Sequence, residues 1–428
     1  KYLGILGVLG PLIIFMYYLY IESWTLGYSF FALTGKYTDI TDPSMLKSFL
    51  SGYQGIEYNQ FFQGIQWAYV FFLITFAINM YVIYQGVCGG IEKLCNWAMP
   101  VLILCGIILL IRVLTLGSPN AAHPDWNVAN GLGMIWNPDF SRLTDAKIWL
   151  EASGQVFFTL SVGIGVLLTY ASYLTKKDDV VLSGATSVTA NEFAEVILGG
   201  SIIIPAAFMF LGPVNMESVV EAGIFNLGFV TMPLVLNQLP WSQFFSFVWF
   251  FLLFLAALTS SVSLSLPFVS FLEDEFGCSK KRAVVWIGIT SFILCQPAIF
   301  FLKNGVVDEM DFWGGSVFLI LFATVEIILF GWVFGIDKGW KEMHEGAQMR
   351  VPGIYKFIIK YITPAYLLVI LGSWAFQQWG DTILMKNVSA ENFPFVLGTR
   401  LGILVLFIIL SWMVHLAWKR YDNLEDKR

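Results

Sequence analysis

The sequence is short of charge, of cysteine and of histidine. Only 13% of its 428 residues are Asp, Glu, Lys or Arg, about half the share of an ordinary soluble domain, too little polar surface to face water on all sides. Five cysteines without a CxxC pair, and three histidines (His123, His344, His415) far apart in the chain, give neither a disulfide framework nor a metal cluster. No basic run occurs and the net charge is −6, which argues against nucleic acid as a partner. No segment sets a nucleophile beside a base, so nothing indicates an enzyme. The chain opens at Lys1, directly before an apolar run, and lacks the charged start and cleavage site of a signal peptide; a missing amino-terminal portion is expected. What fills the space is apolar: 57% hydrophobic and 17% aromatic residues. The expected class is an all-α, multi-pass membrane protein embedded in a lipid bilayer.

Ten apolar segments are long enough to span a hydrocarbon core about 30 Å thick: 3 to 33, 61 to 85, 97 to 117, 147 to 173, 188 to 212, 242 to 272, 283 to 302, 312 to 335, 353 to 378 and 395 to 418. The ends between them differ in charge. One alternate set holds eight of the 24 basic residues, Lys36, Lys47, Arg112, Arg142, Lys147, Lys303, Lys386 and Arg400, and the other set holds the remaining 16. Cytoplasmic loops carry the excess of Lys and Arg, which places both termini of this chain in the cytoplasm. No segment reads as a separate soluble domain, so residues 1–428 form one transmembrane unit.

Within these segments the polar residues are the informative ones, because each is costly at membrane depth. The stretch GQVFFTLSVGIG, residues 154 to 165, puts Thr159, Ser161, Gly163 and Gly165 in the middle of a span. Two glycines beside two hydroxyls mark a place for the backbone to unwind around a cavity; equally, small residues let a neighbouring helix approach. Asn191 and Glu195 stand four apart, on one face of a regular helix. They offer a small hard cation its preferred oxygen ligands, or form an interhelical hydrogen-bonded pair. Ala256, Thr259 and Ser260 stand at i, i+3 and i+4, turning one carbonyl and two hydroxyls to one point, again all oxygen. Packing between helices uses the same residues. Ile14, Tyr18 and Ile21 make a stripe with one phenol among apolar groups, and Asp311 and Asp274 stand at span ends. Glu22 and Glu326 lie inside spans without a visible cation; they are expected to be protonated or hydrogen-bonded.

Taken together, YYLYIESWTLGY at 17 to 28, GQVFFTLS at 154 to 161, NEFAEVILGGS at 191 to 201, AGIFNLGF at 222 to 229, LTSS at 258 to 261, FLEDE at 271 to 275, DEMDFW at 308 to 313 and YITPAYL at 361 to 367 resemble the neurotransmitter:sodium symporters. The resemblance is to their prokaryotic amino-acid transporters of the LeuT type and covers essentially the whole chain. It implies a LeuT-like inverted-repeat fold with broken first and sixth helices. Laid on that plan of twelve helices, the chain begins at the third and supplies ten.

The resemblance also implies sodium-coupled symport of a small, mainly hydrophobic amino acid. Thr159 and Asn191 match ligands of a first sodium ion; Ala256, Thr259 and Ser260 match those of a second. Tyr18 matches the residue that bonds the substrate carboxylate and Phe158 its lid. Ile14, Ser161, Ile164, Ser260, Ser261 and Leu264 match pocket positions, Ile164 replacing an aromatic residue. Gln155 and Asp311 match an outer gate, Tyr173 and Asp274 an inner one. Glu195 stands where chloride-dependent relatives have a small neutral residue, which implies transport without chloride. The location implied is the bacterial inner membrane, and pairing into a homodimer is left open. Two other functions compete: an amino-terminally truncated chain that transports nothing, and a ligand sensor on the transporter scaffold.

Overall fold

The computed structural model describes residues 2–137, 140–144, 146–213, 216 and 223–425. Lys1, Lys427 and Arg428 of the charge asymmetry, and Ala222 of the AGIFNLGF motif, lie outside the described residues. Every regular element among the described residues is helical, as a chain that must satisfy its own backbone hydrogen bonds in lipid requires. Among the described residues eight helical runs are long and apolar enough to cross a membrane, where apolarity alone suggested ten. The difference has two causes. Residues 61 to 117 are covered by one run, Gln66–Leu114, whose two spans join at a π-helical turn, Val87–Ile91, entered at Gly86 with φ 84°. The span expected at 147 to 173 is divided into Ala146–Thr159 and Val166–Ala171, each too short to count.

Two compact units are present. The first comprises Lys1–Tyr17, Arg142–Asn191 and Ser263–Arg428. It holds the two halves of the divided span, here α3 (Ala146–Thr159) and α4 (Val166–Ala171), then α5 (Val180–Glu192), α7 (Val306–Asp311) and α8 (Phe318–Ile328). In this unit a half-buried ion pair joins Arg400 to Glu309, whose carboxylate also takes the Trp313 indole N–H at 2.6 Å. Elsewhere in it, Asp178 and Asp179 organise the turn between α4 and α5. Asp179 accepts the Leu182 amide at 2.8 Å and the Gln348 amide at 2.7 Å, and Asp178 accepts the Thr175 amide at 2.6 Å. These backbone bonds hold both carboxyls below the usual carboxylate range.

The second unit comprises Tyr18–Ser141 and Glu192–Val262. It takes most of α1 (Leu6–Leu33), together with α2 (Gln66–Gly86) and nearly all of α6 (Ser242–Leu264). Aromatic rings pack on one another here. Tyr28 packs against Phe250 and Tyr37 at ring separations of 4.7 and 5.2 Å, and Phe31 meets Tyr53 edge-on at 5.2 Å, geometries favoured by the ring quadrupole. Asn237 ties this cluster to the loop after α1 by giving both amide hydrogens to the carbonyls of Tyr37 and Ile40, each at 2.8 Å.

Candidate functional site

The break between α3 and α4 is built by the local sequence. After Thr159 the chain closes α3 with two reversed bonds, Val162 N–H to the Phe157 carbonyl at 3.0 Å and Ser161 N–H to the Phe158 carbonyl at 3.1 Å. This is the Schellman arrangement, which needs a left-handed residue at its turning point. Ser161 takes that place with φ 54°, a conformation serine rarely adopts. Gly163 at φ 74° and Gly165 at φ 78° continue the unwound path. Both glycines are required by close approach as well as by φ. A Cβ on Gly163 would stand 2.5 Å from the Leu319 carbonyl oxygen and 2.8 Å from the Ala323 Cβ. One on Gly165 would meet the Gly7 carbonyl. The break therefore lies against α8 and the start of α1, where Glu326 receives the Gly163 amide. Unwound backbone at membrane depth is tolerated where it is buried in protein or lines a cavity.

At the end of α3, the Thr159 hydroxyl donates to Asn191 Oδ1 at 3.1 Å. The partnership spans 32 residues and brings together two side chains from different helices. Their oxygens stand as neighbouring ligands do in the shell of a hard cation, beside the partial negative charge of a helix C-terminus. α5 ends at Glu192, and Phe193–Gly200 is π-helical. The common face expected for Asn191 and Glu195 assumed the regular 3.6-residue turn, and the wider π turn alters that spacing. Glu195 is half-buried within this π segment.

In the second unit, the hydroxyls of Thr259 and Ser260 both reach the Ala256 carbonyl at 3.0 Å. Three oxygens thus converge on one turn of α6, at the spacing the sequence suggested. The Tyr18 phenol lies beside Ser260. Ser261 is fully buried, and its hydroxyl is given to Asn79 Oδ1 at 2.7 Å.

The remaining positions fall as follows. Ile14, Ile164 and Leu264 are buried apolar groups, and Phe158 is exposed at the end of α3. Gln155 lies one turn before Thr159 with its side chain exposed. Tyr173 is exposed just after α4, and Asp274 is exposed on the last turn of Leu266–Phe276. Asp311, at the end of α7, accepts a hydrogen bond from the Tyr17 hydroxyl at 2.5 Å. Tyr17 is a partner the sequence did not single out. Neither was Tyr170, whose hydroxyl meets Ser263 Oγ at 2.8 Å, nor Asn79.

Comparison with known proteins places these features in a family. The description of the sodium:neurotransmitter symporter family matches residues 47–420. An uncharacterised sodium-dependent transporter of Methanocaldococcus jannaschii is 29% identical over 376 residues, 87% of this chain and 73% of that protein. The sodium- and chloride-dependent glycine transporter 2 of Xenopus laevis is 26% identical over 357 residues, 78% of this chain and 42% of that protein. Among solved structures, MhsT in complex with L-phenylalanine superposes with a TM-score of 0.72 at 25% identity, covering 87% of this chain and 80% of that one.

Proposed function

The chain belongs to the sodium:neurotransmitter symporter family, a family of transporters with the LeuT-type fold found in MhsT, and we propose that it carries a small, mainly hydrophobic amino acid inward with sodium by alternating access, without chloride. Residues 1–428 act in this as one transporter domain in the bacterial inner membrane, both termini cytoplasmic. The observation that carries the proposal is the set of converging oxygens: the Ala256 carbonyl with the Thr259 and Ser260 hydroxyls at 3.0 Å. An alkali ion is held by oxygen atoms that replace its water, and a helix turn offering three supplies half a shell. Thr159 and Asn191 form the second such seat.

In this account Tyr18 bonds the substrate carboxylate and Phe158 closes over it. Ile14, Ser161, Ile164, Ser260, Ser261 and Leu264 shape the side-chain pocket. Gln155 and Asp311 close the outer path; Tyr173 and Asp274 close the inner one. The unwound stretch from Ser161 to Gly165 lets the two halves of its span pivot separately. Glu195 supplies a fixed negative charge where relatives use chloride. Coupling requires sodium to bind the outward-facing or occluded state better than the inward-open one, since equal affinity for both shifts nothing. Each sodium entering down a membrane potential of about 100 mV releases about 2.3 kcal/mol, enough for roughly fifty-fold accumulation of a zwitterion.

The test is sodium-dependent thermal stabilisation of the full-length protein against a panel of amino acids, with L-phenylalanine, the ligand in the MhsT complex, as the first probe. Apolar amino acids should stabilise in sodium and fail to do so in choline. Stabilisation by none, or to the same degree in both salts, contradicts the proposal.

A further inference from the structure

Glu22 belongs to none of the roles above, yet it is the most isolated acid in the second unit. It lies in α1, one turn beyond Tyr18, and is fully buried. Its Oε1 accepts the Asn79 side-chain amide at 2.9 Å, its Oε2 accepts no hydrogen bond, and the carboxyl also lies beside the Ser261 side chain. No Lys or Arg is paired with it among the described residues. An ionised carboxylate without cation or donors would be very costly there, whereas a neutral acid is not.

Asn79 passes this contact on. Its amide nitrogen also donates to the Thr75 carbonyl at 3.1 Å, which fixes the side chain along α2, and its oxygen accepts the Ser261 hydroxyl at 2.7 Å. Ser261 shares that hydrogen with the Leu258 carbonyl at 3.0 Å. Glu22, Asn79 and Ser261 are each 0% exposed, so the chain of bonds has no competing water. Three helices, α1, α2 and α6, are thereby linked at single atoms. The last of these atoms is one residue from Ser260 and two from Thr259.

We propose that Glu22, as the neutral acid, is the positioning residue for the alkali ion seated on Ala256, Thr259 and Ser260: through Asn79, and by its own carboxyl beside Ser261, it holds Ser261 and so fixes the rotation of α6 that brings those three oxygens to one point. The inference rests on the sodium seat proposed above. Its physical basis is leverage. A helix twist of about 20° carries a side-chain oxygen some 5 Å from the axis through roughly 1.5 to 2 Å, several times the tolerance of about 0.5 Å within which a binding site must be held. Hydrophobic contacts resist separation of helices but resist rotation weakly, because they have no direction. A buried bond from Ser261 to Asn79 has direction.

The experiment is a sodium titration of amino-acid uptake by the full-length protein in proteoliposomes, with thermal unfolding of each variant measured in parallel. Glu22→Gln keeps an acceptor for Asn79 without a charge and should leave half-saturating sodium within about twofold. Glu22→Leu and Asn79→Ala should each raise it about tenfold, the loss typical when the support of a metal ligand is removed, while maximal uptake at saturating sodium persists. Ser260→Ala reports on the seat itself. If Ser260→Ala weakens sodium dependence but Glu22→Leu and Asn79→Ala do not, the positioning role is overturned and the seat stands. If Ser260→Ala is also without effect, the seat is overturned and the positioning role falls with it. If Glu22→Gln fails as badly as Glu22→Leu, the neutral acid is overturned, because the charge was needed. Should Glu22→Leu not fold, Ser261→Ala decides together with Asn79→Ala, since it removes the hydroxyl that both Glu22 and Asn79 meet; half-saturating sodium unchanged in both overturns the positioning role.

Discussion

At the scale of single residues, the Thr159 hydroxyl and Asn191 Oδ1 meet at 3.1 Å, and in the proposed seat a sodium ion between them would exchange that bond for two ion contacts. Thr159→Val keeps the shape and removes the oxygen. It is expected to raise half-saturating sodium about tenfold in an uptake titration, with Asn191→Ala acting in the same direction; an unchanged titration would remove these two from the seat. Glu195→Ser deletes the fixed charge of the π segment and is expected to make uptake depend on chloride, read by replacing chloride with gluconate. No response to chloride would reject that role for Glu195 alone. The pair Asp178 and Asp179 gives a prediction in pH. Both carboxyls are held below their ordinary range by backbone N–H donors, so the stability they lend is present above the unfolded carboxylate value of about 3.9 and is lost as pH falls through the lower folded value. Hydrogen exchange at the Leu182 and Gln348 amides should stay slow at neutral pH and in Asp179→Asn should become fast there. Equal protection in the variant would show that those bonds do not hold the turn.

At the scale of elements, the interruption between α3 and α4 is the joint on which the proposed pivoting of the two half-spans depends. Gly163→Ala adds a Cβ 2.5 Å from the Leu319 carbonyl oxygen at φ 74° and is expected to lower the thermal stability of the sodium-free protein in detergent. Ser161→Gly relieves a left-handed serine and is expected to raise it, by about 1 kcal/mol. Shifts of the opposite sign would mean that this backbone path is not the resting one. The sequence made the interruption legible, because two glycines and two hydroxyls in the middle of an apolar span are out of place in an ordinary lipid-facing helix. It did not reveal that Ser161 would take the left-handed turn, because serine carries a penalty there that glycines two and four residues on do not. Apolarity likewise measured how much chain could cross a membrane but not how consecutive spans join, so residues 61 to 117 read as two separate spans and form one helical run that turns at Gly86. The oxygens of Ala256, Thr259 and Ser260 were readable from spacing alone, since all three sit on one regular turn. The Glu22, Asn79 and Ser261 chain was not: its members are 57 and 182 residues apart, and a lone polar residue in an apolar helix declares a cost without naming its partner. Tyr17 escaped for a related reason. It adjoins Tyr18, and neighbours on a helix point about 100° apart, so a role for one says nothing of the other.

At the scale of the whole molecule, the family and the LeuT-type fold carry the expectation of a transporter, and the described residues add an interrupted span between α3 and α4, to which the proposal adds two ion seats and gating carboxylates. The central claim is that oxygen ligands inside the membrane tie the entry of sodium to the entry of an amino acid. It is tested most directly by radiolabelled L-phenylalanine uptake into proteoliposomes of the full-length protein, with the sodium gradient as the only variable. The account predicts accumulation above the outside concentration with sodium outside, none when potassium or choline replaces it, and no change when gluconate replaces chloride. Equal uptake in all three cations would contradict it.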